Sequence, residues 1–187
     1  MEEMIDLIGL EKEFLSAHIK KGGVAVDFTM GNGHDTAWLS KAVGAEGKVY
    51  AFDIQEKALE STRNTLKEEN CPDNCTLICD SHSNVLSYVK EKICVGVFNL
   101  GYLPGSGNKA LTTLRPTTKK AVEAAISLLD RDAIVLIAVY PGHEEGKLEG
   151  EMLDEMLTQY DRRQICVSKF KLVNSPTSPF FFAIESK

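Results

Sequence analysis

Val24-Ala-Val-Asp-Phe-Thr-Met-Gly-Asn-Gly-His-Asp-Thr36, taken with Asp53, decides the fold. An apolar, β-branched run delivers the acid Asp27, a loop with Gly31 and Gly33 follows, and helical spacing begins near His34. A second apolar run, Val49-Tyr-Ala-Phe52, ends in Asp53, 22 residues after Gly31. Strand, glycine turn, helix, strand and terminal carboxylate, in that order, suit an adenosine-containing ligand at the carboxyl ends of parallel strands. Dinucleotide-binding loops carry a third glycine where this chain has Thr36, and that glycine serves a pyrophosphate. Its absence argues against NAD or FAD.

Outward from this unit the chain alternates. Apolar spacing through Met4, Ile5, Ile8, Leu15 and Ile19 predicts an opening helix, stopped by Gly22-Gly23. Strands are predicted over 24–28, 48–53, 76–79, 95–100 and 133–139. Helices are predicted over 34–43, 55–70, 84–89, 117–129 and 145–160, with Pro72 breaking the one over 55–70. A Gly/Pro-rich loop covers 101–116. Two closing strands, 164–172 and 180–184, are joined through Asn174-Ser-Pro-Thr-Ser-Pro179 without a helix, so they should pair as an antiparallel hairpin. The five alternating units imply a parallel sheet covered by helices on both faces. This α/β, Rossmann-like plan of seven mostly parallel strands with a C-terminal antiparallel hairpin resembles the class I methyltransferase fold. A dinucleotide-binding domain would carry a sixth parallel strand instead.

The 187 residues suit one domain spanning 1–187, and 43% hydrophobic content is ordinary for a globular chain. No apolar run approaches the roughly 18 residues of a membrane span. The acidic N-terminus lacks the basic region of an export signal, so the five cysteines read as reduced thiols and a cytoplasmic location is expected. Cys71, Cys75 and Cys79 recur at intervals of four, yet two thiols at opposite ends of a strand lie about 13 Å apart at roughly 3.3 Å per residue. They could not share a zinc ion at thiolate distances of about 2.3 Å, so no metal is expected. A net charge of −6 means that any RNA contact needs a local basic patch. Lys109, Arg115, Lys119 and Lys120 surround the loop after the fourth strand. Lys119 and Lys120 oppose the dipole at a helix start, which favours an anion-contact role. Arg162, Arg163, Lys169 and Lys171 form a second cluster.

The strand ends carry the candidate chemistry. In a methyltransferase reading, Asp27 reaches the ammonium group of a methionine-derived ligand and Asp53 accepts the ribose hydroxyls. The plainer readings are a turn residue and a helix N-cap. Thr29, Gly31, Asn32 and Gly33 form the loop between them, and Ile54 and Gln55 continue the rim beyond Asp53. After the third strand, Asp80 could accept from an adenine amine or be a solvated turn acid. Ser81 and His82 follow it, and His82 either lines the site or caps the next helix. After the fourth strand, Asn99-Leu-Gly-Tyr102 resembles the Asn-Pro-Pro-Tyr motif of amino-group methyltransferases, without its prolines. A nitrogen nucleophile needs acceptors for its N–H bonds so that its lone pair points at the methyl carbon, and an Asn oxygen supplies one. Asn99 and Tyr102 are therefore candidate catalytic residues, with Asn99 and Gly101 also beside the cofactor and Leu103 and Pro104 on the substrate side. His143, just beyond the fifth strand, is a candidate proton acceptor by location and by the titration range of histidine.

Three segments carry a wider resemblance: Asp27-Phe-Thr-Met-Gly-Asn-Gly-His-Asp-Thr36, Phe98-Asn-Leu-Gly-Tyr-Leu-Pro-Gly105 and Tyr140-Pro-Gly-His-Glu-Glu-Gly146. In order and spacing they are similar to the bacterial rRNA methylase family, which includes tRNA methyltransferases of the MnmM type. That resemblance implies S-adenosyl-L-methionine as cofactor and methylation of the 5-aminomethyl group of a 2-thiouridine at the tRNA wobble position. The partner would then be the tRNA anticodon region. An rRNA or small-molecule methyltransferase of the same fold is the first alternative, and a non-catalytic nucleotide-binding module the second. An enzyme of this size without an appended RNA-binding domain would widen its contact surface as a homodimer.

Overall fold

The computed structural model describes residues 7–101 and 113–187. In chain order its elements are α1 (Leu7–His18), β1 (Val24–Asp27), α2 (His34–Val43), β2 (Lys48–Asp53), α3 (Glu56–Glu68), β3 (Cys75–Cys79), α4 (Val85–Tyr88), β4 (Ile93–Asn99), α5 (Arg115–Leu128), β5 (Leu129–Val139), α6 (Glu144–Leu157), β6 (Ile165–Phe170) and β7 (Phe180–Ser186). A 3₁₀ turn, His82–Asn84, leads into α4. The strands form one sheet in the order β3-β2-β1-β4-β5-β7-β6. The first five strands pair in parallel, and β7 runs antiparallel between β5 and β6, as the missing helix before it requires. Strand order reverses between β1 and β4, and a crevice opens beyond the carboxyl ends of strands at such a switch point.

Two-residue periodicity divides the core. Ala25, Val95, Val97, Ile134, Leu136, Phe181 and Ala183 face α1 and α2. Their strand neighbours Val26, Val135, Ile137, Val139, Phe180, Phe182 and Ile184 face α4, α5 and α6. Each strand therefore needs apolar residues at consecutive positions, which is why β4 and β5 read as unbroken apolar runs. At the carboxyl edge the rings of Phe28 and Phe98 stack 4.0 Å apart, and Phe52 lies 6.3 Å beyond Phe28. Gly96 makes room for this stack, because a Cβ there would lie 3.0 Å from the Phe28 ring. Each buried ring contributes roughly 1.5–3 kcal/mol of transfer free energy. Together they make an apolar floor beneath the crevice.

Element boundaries depart from the sequence reading where local chemistry overrides pattern. Helix α5 begins at Arg115 and takes Pro116 into its first turn, where a proline needs no N–H partner. Strand β5 begins at Leu129 rather than 133, because Leu129 pairs with Ile93 and Asp132, at φ 56°, absorbs a shift of register. Met4 and Ile5 of the opening helix lie outside the described residues. Among those residues no helix is long and apolar enough to cross a membrane, and no group of three His, Cys, Asp or Glu side chains could hold a metal ion.

Asn74 fixes the far end of α2. Its Nδ2 donates to the Ser40 and Gly44 carbonyls at 3.0 and 2.8 Å, while its Oδ1 accepts from the Ser40 hydroxyl at 2.6 Å. The Ser40 carbonyl also accepts from the Gly44 N–H at 3.1 Å and the Gly44 carbonyl from the Gly47 N–H at 2.9 Å, so Asn74 gives each a second donor where the helix ends. Asn74→Ala should destabilise the protein by about 1–2 kcal/mol, read as a lowered urea midpoint. An unchanged midpoint would mean that water replaces the cap at no cost.

Candidate active site

The crevice is a cleft of about 1070 Å³ over the carboxyl ends of β1, β2, β4 and β5. Small-molecule sites typically fall between roughly 300 and 1,000 Å³, so this one lies at the large end of that range. Phe28, Phe52 and Leu100 form its floor.

Gly33 sets the loop on its inner side. At φ 84° it caps α2, and a Cβ would come within 2.8 Å of Thr62 Cα in α3. Only glycine permits both the dihedral and the approach. The Thr62 hydroxyl donates to the Gly31 carbonyl at 3.3 Å, and Thr65 donates to the Asn32 carbonyl at 2.8 Å, so α3 grips the loop from behind. The Asn32 side chain accepts from Ser61. Asn32 and Gly33 thus hold the loop rather than line the cleft. The backbone at Gly31, φ 51°, lines the cleft itself.

Asp53 closes β2 as the sequence reading required. Its Oδ1 accepts from the Gln55 N–H at 2.9 Å and its Oδ2 from the Gly31 N–H at 3.2 Å. Both oxygens keep lone-pair capacity toward the cleft. Burial pushes its carboxyl above the usual range, and those backbone donors pull the other way. Beside it Ile54 is 59% exposed at the cleft wall, an apolar surface awaiting a flat partner.

Asp27 is buried, and its oxygens are taken: Oδ2 accepts from the Thr36 hydroxyl at 2.6 Å and Oδ1 from the Thr29 N–H at 3.1 Å. It shapes the loop from beneath and does not line the cleft. Thr36, which replaces the third glycine, therefore has its own task as the donor that holds Asp27.

Asn99, at the end of β4, is fixed twice. Its backbone N–H donates to Thr29 Oγ1 at 2.7 Å, and its Nδ2 donates to Asp35 Oδ2 at 2.7 Å. Tyr140 Oη lies 3.4 Å from the Asn99 oxygen. Beyond the end of β3, Asp80, Ser81 and His82 line the wall. The Asp80 carboxylate faces Tyr88, Asn84 and the Ser81 N–H, and its hydrogen bond from Tyr88 holds its pKa down. An adenine amine would have to share it. The His82 Nδ1 donates to the Phe28 carbonyl at 3.1 Å, and burial lowers its pKa, so the neutral ring acts as part of the wall.

His143 lines the cleft but in a different role from the expected proton acceptor. Its Nδ1 accepts from the Gly146 N–H at 3.0 Å and caps α6. A neutral ring has one lone-pair nitrogen, and here the cap uses it. The basic residues also diverge. Arg115 Nε pairs with Glu145 at 3.0 Å, Lys119 borders a groove between α5 and α6, and Lys120 lies near enough to Asp80 to lower its pKa. None of the three lines the cleft. Tyr102, Leu103, Pro104 and Lys109 lie outside the described residues. The segment's two ends meet at Gly101 and Thr113, which exchange hydrogen bonds of 3.0 and 3.1 Å and line the cleft together. Thr113 in turn donates to buried Glu149 at 2.8 Å. Sequence reasoning missed Thr113, Leu114, Thr117, Tyr140, Thr177 and Pro179 on the far wall. Tyr140 alone carried a signal, since it follows the fifth strand directly.

Burial first, and the neighbouring Asp35 charge second, push Asp27 up to about 7 from 3.8. The folded protein keeps this proton across a range where the unfolded chain releases it. The stabilising contribution is complete below about pH 3.8 and lost as pH rises through about 7. Asp27→Asn keeps the shape and removes the titration. Its urea midpoint relative to the wild type should climb between about pH 4 and about pH 7.5. A difference that stays flat with pH would show Asp27 ionised in the fold.

Comparison with known proteins bears on this geometry. The family model described as "Putative rRNA methylase" matches residues 49–185. A curated Arabidopsis thaliana protein named "tRNA (mnm(5)s(2)U34)-methyltransferase, chloroplastic" is 35% identical over 96% of this chain and 72% of its own length. The crystal structure of a "putative rRNA-methylase" from Clostridium thermocellum superposes with a TM-score of 0.94, at 34% identity over 99% of this chain and all of that one. A "putative methyltransferase" from Streptococcus mutans, solved in complex with SAH, superposes at 0.87 with 35% identity, again over 99% of this chain and all of that one. Such likeness over the full set of described strands establishes a class I methyltransferase fold, and the chain belongs to the rRNA methylase family that this model defines.

Proposed function

We propose that this chain is an S-adenosyl-L-methionine-dependent RNA methyltransferase that N-methylates the 5-aminomethyl group of 2-thiouridine at the tRNA wobble position. The observation that carries the reading is that Asp53 and Asn99, at the ends of two strands that flank β1, line one cleft. One suits a ribose and the other an amine. The similarity to a relative named for the methylaminomethyl product and to a structure holding SAH supports the same reading. Free thiols at all five cysteines fit the reducing cytoplasm in which the proposal places the protein.

The cleft's donors and acceptors fit the cofactor. Asp53, already braced by Gly31 and Gln55, accepts two ribose hydroxyls, and Ile54 offers an apolar face to the base. Gly31 permits close backbone approach at the loop. Asp27 acts from below, bracing the loop through Thr29 and Thr36 without direct contact with the ligand. When bound, the cofactor would supply an electrophilic methyl carbon for attack by a nitrogen lone pair, with the C–S bonding pair leaving on sulfur. Asn99 Oδ1 accepts an N–H of the incoming neutral amine and aims its lone pair. The surplus proton of the methylated ammonium passes to water at the cleft mouth. Positioning carries the catalysis, which is why no nucleophilic side chain is required.

Exposed Lys119 and Lys120, on the helix that begins at Arg115, are the proposed RNA contacts, with Lys109 and Arg115 nearby in sequence. Arg115 must exchange Glu145 for phosphate to join them.

Two substitutions separate the roles. Asp53→Ala should weaken S-adenosylhomocysteine binding by about tenfold or more, since a charge-assisted hydrogen bond contributes roughly 1.5–3 kcal/mol. Asn99→Ala should instead lower kcat by on the order of 10²-fold at nearly constant cofactor affinity. Nucleoside mass spectrometry on tRNA and rRNA from a strain lacking the gene tests the substrate. Unmethylated 5-aminomethyl-2-thiouridine in tRNA is the expected finding, and a lost methyl group in rRNA alone would contradict it.

A further inference from the structure

An asparagine amide can face a substrate with either end, and the two ends do opposite things. The oxygen accepts an amine N–H and frees the nitrogen lone pair for attack. The NH2 group donates to that lone pair and blocks it. Something must therefore select the orientation of Asn99. Its backbone bond to Thr29 fixes the main chain but leaves the amide free to turn over. Tyr140 Oη, 3.4 Å away, cannot select either, since a hydroxyl both donates and accepts. Asp35 can: a carboxylate only accepts, and its Oδ2 lies 2.7 Å from the Asn99 Nδ2.

Asp35 is well held for this purpose. It stands in the first turn of α2, where the helix dipole favours negative charge. Lys12 Nζ, on α1, lies 4.0 Å from its other oxygen. Asp27 is a neighbouring acid, and Asp35 raises its pKa. The side chain is one-third exposed, comes from the cofactor loop's own helix, and does not line the cleft. It touches Asn99 and not the reacting groups.

We propose that Asp35 is a positioning residue that locks the Asn99 amide with its oxygen toward the acceptor nitrogen. The proposal rests on the amine-methylation reading above. It makes the loop that holds the cofactor also the device that orients the acceptor.

Steady-state kinetics on tRNA carrying 5-aminomethyl-2-thiouridine, calorimetry with S-adenosylhomocysteine and nitrogen–proton NMR of the side-chain amides test it together. Asp35→Ala should lower kcat by about 10- to 100-fold while S-adenosylhomocysteine affinity stays within about twofold. Asn99→Asp sets two carboxylates against each other and should be similarly slow. The reciprocal pair Asp35→Asn/Asn99→Asp restores a donor–acceptor contact with an acceptor left facing the cleft. It should recover at least about tenfold in kcat over Asn99→Asp alone. A wild-type kcat in Asp35→Ala, or a reciprocal pair no faster than Asn99→Asp, overturns the proposal. The NMR arm stands apart from activity. The Asn99 amide resonances, assigned by their loss in Asn99→Asp, should move in Asp35→Ala, and unmoved resonances overturn the tie. A wild-type protein that leaves the aminomethyl nucleoside unmethylated would instead sink the functional reading, with the NMR result still deciding the tie.

Discussion

The hydrogen bonds that fasten residues 27–36 to the neighbouring strand ends are the constraint on which the rest depends. Phe28 N–H donates to Val97 O and Met30 N–H to Phe52 O, so the segment is stitched to β4 on one side and β2 on the other. Gly31 N–H then reaches the Asp53 carboxylate, and Thr29 Oγ1 and Asp35 take the two N–H groups of Asn99. One loop thereby sets the position of both the Asp53 carboxylate and the Asn99 amide, the proposed ribose and amine acceptors. The strand reversal between β1 and β4 makes this possible, because the loop at the switch point has a strand end on each flank.

That arrangement gathers acids. Asp27, Asp35 and Asp53 converge on the segment, and the first is buried deeply enough to hold a proton up to about pH 7. Packing acids together in a low-dielectric site opposes folding unless hydrogen bonds or a cation offset it. Thr36, Thr29 and the Gly31 and Gln55 N–H groups supply the hydrogen bonds. A sulfonium with an ammonium group is the kind of ligand that such a field favours. The stacked Phe28, Phe98 and Phe52 rings below keep water from the underside of the site.

How much of this was legible in the sequence follows from the physics of each element. Strands buried on both faces leave unbroken apolar runs, and the polar residues at their ends stand out against them. Asp53 and Asn99 were found in this way. The hairpin was legible because no helix separates β6 from β7. Boundaries failed where a single residue decides, as with Pro116 inside α5 and Asp132 at φ 56° in β5. Roles failed where a partner lies far along the chain. Nothing in the sequence places Asp35 against Asn99, 64 positions away, or gives the His143 Nδ1 to Gly146. The far wall, from Thr113 to Pro179, is built of ordinary loop residues that only the folded chain brings together.

The most direct measurement is a crystal structure of the protein with S-adenosylhomocysteine and an anticodon stem–loop carrying 5-aminomethyl-2-thiouridine. The account predicts both ribose hydroxyls on the Asp53 carboxylate and the amine nitrogen at about 2.7–3.2 Å from Asn99 Oδ1, with Asp35 still on the Asn99 Nδ2. An amine nitrogen held away from Asn99, or a ribose that leaves Asp53 untouched, would contradict it.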